Sequence, residues 1–85
     1  MMIIITQIQK DFLINDVLQD RSELISELMK GELIYEKWHV DIDSNLADEI
    51  RDECLEMLQL IGFDEDYELT KQGEILEELI DIFYI

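Results

Sequence analysis

The chain has 85 residues, of which 22 are acidic and 6 basic, giving a formal charge of −16, yet 48% of its residues are hydrophobic. That length permits one domain, residues 1–85, and so much Ile and Leu excludes a disordered acidic tail, whose hydrophobicity would be low. The basic residues Lys10, Arg21, Lys30, Lys37, Arg51 and Lys71 are scattered, which excludes the clustered cations of a nucleic-acid-binding face.

No apolar run approaches the ~18–20 residues of a membrane span. Met1 to Ile5 is apolar but has no basic n-region or small-residue cleavage site, so no signal peptide is expected. A single cysteine, Cys54, excludes an internal disulfide framework and a cysteine zinc cluster. The expected compartment is the reducing cytoplasm.

The absence of proline and the three glycines, Gly31, Gly62 and Gly73, suit helices joined by short connections. In chain order, Met1 to Ile5 is a frayed first turn or a short strand. From Thr6 to about Gln19, Ile8, Phe12, Leu13, Val17 and Leu18 recur at helical spacing. Asp20 to Glu23 has the spacing of a capping box. A second helix through Leu24, Ile25, Leu28 and Met29 follows, and Gly31 is placed to end it with a left-handed C-cap. Residues 32–42 alternate at Trp38, Val40 and Ile42 like a strand, but a lone strand has no evident partner beyond the first five residues. A helical or irregular connection is expected there.

The third helix is the clearest. It is capped by Asp43 or Ser44, carries a buried stripe of Leu46, Ile50, Cys54, Met57, Leu58 and Ile61, and ends at Gly62. A loop from Phe63 to Leu69 leads to Thr70, which caps a last helix with the stripe Ile75, Leu76, Leu79, Ile80 and Phe83. The expected fold is therefore all-α: a compact bundle of about four helices, with or without a short N-terminal strand.

The charge is graded along the chain. Residues 1–45 hold nine acidic and four basic side chains; residues 46–85 hold thirteen and two, so their net charges are −5 and −11. In the third helix Asp48, Asp52 and Glu56 stand at i, i+4 and i+8, beside the row Glu49 and Glu53. Each like-charge i,i+4 pair costs a helix roughly 0.2–0.5 kcal/mol, and Arg51 answers only part of this. The helix dipole is expected to favour Asp48 and Glu49 near the first turn. The stretch Asp64-Glu65-Asp66-Tyr67-Glu68 then adds four carboxylates in five residues. Any one of these residues reads as an ordinary solvated acid. Together they read as a surface that meets a positively charged partner, with Asp48, Asp52, Glu56, Asp64, Glu65, Asp66 and Glu68 supplying the field and Tyr67 the aromatic anchor.

Catalysis has little to stand on. Nucleophilic chemistry needs a nucleophile, a base and an orienting group, and the chain has one cysteine, on an apolar helix stripe, and one histidine, His39. His39 is expected as a half-buried or surface side chain and Trp38 as a packing residue. Carboxylate pairs are too many for any one to signal a general acid and base. Asp41, Asp43, Asn45, Glu49 and Asp52 fit positions 1, 3, 5, 9 and 12 of a calcium loop, but position 6, which needs glycine, is Leu46. No catalytic residue, metal site or cofactor is expected.

Residues 52–85, DECLEMLQLIGFDEDYELTKQGEILEELIDIFYI, resemble the closing segment of small acidic bacterial immunity proteins of the contact-dependent growth inhibition type. The shared features are a helix ending at Gly62, the acidic Phe63–Tyr67 loop, and Leu69-Thr70 opening a last helix that contains Gly73 and Leu79-Ile80-Asp81. The resemblance implies a toxin-binding inhibitor without catalysis, often directed against a nuclease. The first half of the chain carries no such likeness. The expected function is that of an immunity protein for a basic toxin domain. The alternative is a phage-encoded nucleic-acid mimic that inhibits a host defence enzyme, anti-CRISPR or anti-restriction. A third is a scaffolding subunit that dimerises through Trp38 and the last helix. None of these reads nucleic acid or a membrane directly, and the oligomeric state is left open.

Overall fold

The computed structural model describes residues 1–84. Its elements are β1 (Met2–Thr6), α1 (Gln7–Phe12), which widens into a π-helical turn (Leu13–Val17), α2 (Ser22–Leu28), β2 (Glu32–Ile34), β3 (Lys37–Asp41), α3 (Ser44–Ile61) and α4 (Lys71–Ile82). The protein is thus mixed α/β, not the all-α bundle its helical periodicity suggests. Three antiparallel strands in the order β1-β3-β2 form a sheet.

Two segments account for the difference. The β-branched run at the N-terminus is a strand because β3 supplies its partner, with Ile3 opposite Val40 and Ile5 opposite Trp38. Residues 32–41, expected as a helical or irregular connection, form a hairpin instead. Its two-residue turn, Tyr35 and Glu36, has φ of 48° and 68°. Two consecutive left-handed residues are what a tight hairpin turn of matching twist requires, and Asn-Gly is the usual signal for it. Tyr-Glu hides that signal.

Side chains alternate across the sheet. Ile3, Ile5 and Val40 point inward and are buried with Leu13, Leu24, Leu28, Ile50, Leu76, Leu79 and Phe83 in one core. Met2 and Ile4 lie on the other face and stay about half exposed. Trp38 is half-buried against the core, and its indole N–H donates to the Leu28 carbonyl at 2.9 Å.

The helix signals are met unevenly. The capping box forms not at Asp20 but at Thr6, where Thr6 Oγ1 accepts the Gln9 N–H at 3.0 Å and Gln9 Oε1 accepts the Thr6 N–H at 2.9 Å. Arg21, not Asp20, is the N-cap of α2 and makes no side-chain cap; Glu23 turns to the Arg21 guanidinium at 2.6 Å. Gly31 is not a left-handed cap either, since no glycine has positive φ. It is there for space: a Cβ would lie 2.4 Å from the His39 carbonyl oxygen.

The last two helices are as their spacing predicts. The Asp43 carboxylate accepts the Leu46 N–H at 2.8 Å and opens α3; Thr70 Oγ1 accepts the Gly73 N–H at 3.0 Å and opens α4. Ala47, Ile50 and Cys54 of α3 pack toward α4 and the sheet, but Ile61, assigned to the same stripe, is 42% exposed. Among the described residues no helix is long and apolar enough to cross a membrane.

Candidate functional site

Because Ser44 is the first residue of α3, Asp48 and Glu49 fall beyond its first turn and gain nothing from the dipole there. Asp48 instead pairs with Arg51 at 3.0 Å, and the Arg51 guanidinium lies 5.2 Å from the Tyr84 ring. Asp52 and Glu56, one and two turns further on, are exposed and are not among the carboxylates that pair with a cation. At a 1.5 Å rise, the row from Asp48 to Glu56 spans about 12 Å.

The parallel row has a counter-charge. Arg21, from the start of α2, reaches α3 with Nη1 2.7 Å from Glu53 and Nη2 3.4 Å from Glu49, while its Nε holds Glu23. The hydrogen bonds to Glu23 and Glu53 raise the guanidinium pKa, and the one to Arg21 keeps the Glu23 carboxyl below the usual carboxylate range. One cation thus serves three carboxylates and ties α2 to α3.

Beside this clamp a cavity of about 350 Å³ opens between the π-helical turn and α3. Asp16 and Asp20 line it on one side and Glu53 and Glu56 on the other, with Val17 and Met57 beneath and the exposed Leu60 at its rim. Asp16 and Asp20 belong to the less acidic half of the chain, and nothing in their local sequence marks them. Only the packing of the π-helical turn on α3 adds them to the acidic pole. A second cavity, also about 350 Å³, lies between α3 and α4, with Leu55, Leu58 and Ile80 flanked by Glu77 and Asp81.

The acidic loop is a tight structure. The Asp64 carboxylate accepts the N–H groups of Asp66 at 2.8 Å and Glu68 at 3.0 Å, and the Asp64 N–H donates to the Glu68 carbonyl at 2.8 Å. Phe63 and Leu69 bridge its base. Asp64 therefore organises the loop, while Glu65, Asp66 and Glu68 project into solvent without a cation. Tyr67 is 88% exposed and held at φ 63°, a conformation that costs a non-glycine residue about 1–2 kcal/mol. The loop follows the C-terminal end of α3, where the dipole is negative and the last turn has no basic residue. Its charge adds to the pole.

Of the anticipated surface, Asp52 and Glu56 on α3 and Glu65, Asp66, Tyr67 and Glu68 on the loop are free to meet a partner. Asp48 is ion-paired and Asp64 is structural. A second exposed left-handed tyrosine, Tyr35 at the hairpin tip, is 96% exposed.

No other chemistry gathers here. Cys54 is buried, and burial together with the charge of Glu53 pushes its thiol up to about 12. The calcium-loop register is consumed by structure: Asp43 is a helix cap and residues 44–52 are helical. Among the described residues no group of three or more potential metal ligands occurs. Compared with family models, curated proteins and solved structures, the chain matches none.

Proposed function

We propose that this protein is a non-catalytic inhibitor of the immunity-protein type. It acts in the cytoplasm, where it binds a basic toxin domain, a nuclease, and neutralises it through its acidic surface. One observation carries the reading. Among the described residues Asp52, Glu56, Glu65, Asp66 and Glu68 are exposed without a cationic partner, while Arg21, Lys30 and Arg51 are paired with other carboxylates. A sequence selected for stability alone would intersperse lysines on these faces.

The mechanism is electrostatic. A nuclease binds phosphates with lysines and arginines; carboxylates on a rigid helix and a pinned loop offer those cations an alternative that holds no scissile bond. The acid-walled cavity beside Arg21 suits the stem and head of one such side chain. The summed field speeds encounter, up to about 10⁸–10⁹ M⁻¹s⁻¹ at low salt.

Capture at low salt from the native host, followed by an assay of the captured enzyme, tests the class. The triple variant Asp52→Lys, Glu56→Lys, Asp66→Lys should slow association with that enzyme about tenfold or more and flatten its salt dependence. Unchanged affinity in the triple variant refutes the proposal.

A further inference from the structure

The backbone groups of β1 fall into two sets. The Ile42 N–H donates to the Met1 carbonyl at 2.9 Å. Met1 and Ile42 are therefore a hydrogen-bonded pair, and the alternation of an antiparallel ladder makes Ile3–Val40 and Ile5–Trp38 the next such pairs. Met2, Ile4 and Thr6 consequently turn N–H and C=O away from β3, toward the open edge of the sheet. The Thr6 N–H agrees with this, donating not to a strand but to Gln9 Oε1 at 2.9 Å. The corresponding groups of Met2 and Ile4 have no protein partner among the described residues.

Nothing guards this edge. Edge strands are normally blunted by lysine, proline, bulges or inward charges. Here the strand is Met-Ile-Ile-Ile-Thr, and no ionisable side chain occurs from Met1 to Gln9. Met1, Met2, Ile4 and Ile8 are 50% to 71% exposed. In a molecule so heavily charged this is an apolar strip with open hydrogen-bonding groups, and the one charge at its end, the Met1 ammonium, is taken up by Asp41 at 2.6 Å.

We propose that β1 is a self-association edge, where a second copy of the chain adds its own β1 antiparallel to the first. Met2 of each copy lies opposite Ile4 of the other, and the two sheets become one of six strands. The register follows from the groups available. Met2–Ile4 pairing in both directions uses every open N–H and C=O of Met2 and Ile4, whereas an Ile4–Ile4 register would call on the Thr6 N–H, which Gln9 already holds. Charge selects the occupant. Two chains of −16 repel wherever carboxylates face one another, and Met2 to Ile4 is where they can touch without doing so, since Asp41 at one end of the strip is paired with the Met1 ammonium and Glu78 stands at the other end beside Gln9. A basic partner finds no unpaired charge along Met2 to Ile4 to draw it. The proposal does not depend on the acidic surface, and its salt dependence has the opposite sign: screening favours the dimer.

Sedimentation of the 85-residue protein in about 0.05 M and about 0.5 M NaCl, with amide hydrogen exchange at each residue, tests it. The dimer dissociation constant should fall about tenfold or more with the added salt, and the Met2 and Ile4 amides should gain protection as protein concentration rises. Ile4→Lys, on the exposed face, should weaken the dimer about tenfold or more. Met29→Lys, the same charge change at a similarly exposed position at the end of α2, should not. Ile4→Pro, which deletes an outward N–H and no bond to β3, should act like Ile4→Lys. A chain that stays monomeric at about 1 mM in high salt, or a dimer indifferent to all β1 variants, overturns the proposal. So does protection of Met2 and Ile4 that arises only when a basic protein is bound.

Discussion

Gly73→Ala should unfold the junction that holds the acidic loop in place. A Cβ at Gly73 would sit 2.3 Å from the Gly62 carbonyl oxygen, 3.0 Å from the Gly62 carbonyl carbon and 2.7 Å from Leu69 Cδ1. The leucine tip could rotate away, but the carbonyl is fixed. It accepts the Thr70 N–H at 2.8 Å and the Thr70 hydroxyl at 3.1 Å, and that same hydroxyl caps α4. Relief requires α3 and α4 to part by about an ångström, which loosens the packing of Cys54, Leu76 and Leu79 between them. Overpacking of this kind costs typically 1–3 kcal/mol, and loss of the Thr70 cap adds about 1 kcal/mol. Replacing glycine by alanine within a helix returns about 1 kcal/mol. The net expectation is a destabilisation of about 1–3 kcal/mol, which in a domain this small lowers Tm by roughly 4–24 °C. Thermal and urea unfolding followed by circular dichroism measure it. A Tm that is unchanged or raised would mean that helix propensity outweighs the contact, and the account of the Gly62–Gly73 crossing would be wrong.

Two further outcomes follow from the fold. Replacing Tyr35-Glu36 by Asn-Gly should raise stability by about 1–2 kcal/mol, since both positions are left-handed and neither side chain is needed for packing. An unchanged urea midpoint would show that the turn carries no strain. The Cys54 thiol should resist a disulfide reagent in the native state at neutral pH and react promptly in urea. Its folded pKa is raised from 9.0 to about 12. Its contribution to stability is therefore full below pH 9 and is lost as the pH rises toward about 12, where the unfolded thiol ionises first. Prompt native-state labelling, or stability flat across that range in wild type and Cys54→Ala alike, would contradict the burial.

Much of the helical half of the molecule is legible in the sequence. Asp43 and Thr70 are caps readable from residue type and position, and the stripes Ile50–Cys54 and Leu76–Leu79 face the core because helical spacing places them on one side. These are local signals, acting within a few residues. The sheet escapes such a reading because its signal is not local. The partner of β1 lies some thirty-five residues away, and the turn that builds β3 contains no glycine or asparagine. Capping shows the same contrast at smaller scale, since the box expected at Asp20 fails and an unanticipated one forms at Thr6. Thr6 and Gln9 have the required spacing and use it, whereas Glu23, equally well spaced from Asp20, is drawn to the stronger charge of Arg21.

The acidic surface divides in the same way. Composition and order along the chain determined that the second half would be the negative pole and that Asp52, Glu56 and the Asp64–Glu68 loop would belong to it, because charge is a property of residues and needs no fold to exist. Which carboxylates remain unpaired was decided by folding, locally for Asp48 and Asp64 and by tertiary structure for the others. Arg51 neutralises Asp48, Asp64 is spent on backbone N–H groups, Arg21 crosses from another helix to Glu49 and Glu53, and the π-helical turn carries Asp16 and Asp20 to the wall beside Glu56. A net charge is additive over the sequence, but a field depends on distances, and only folding sets those.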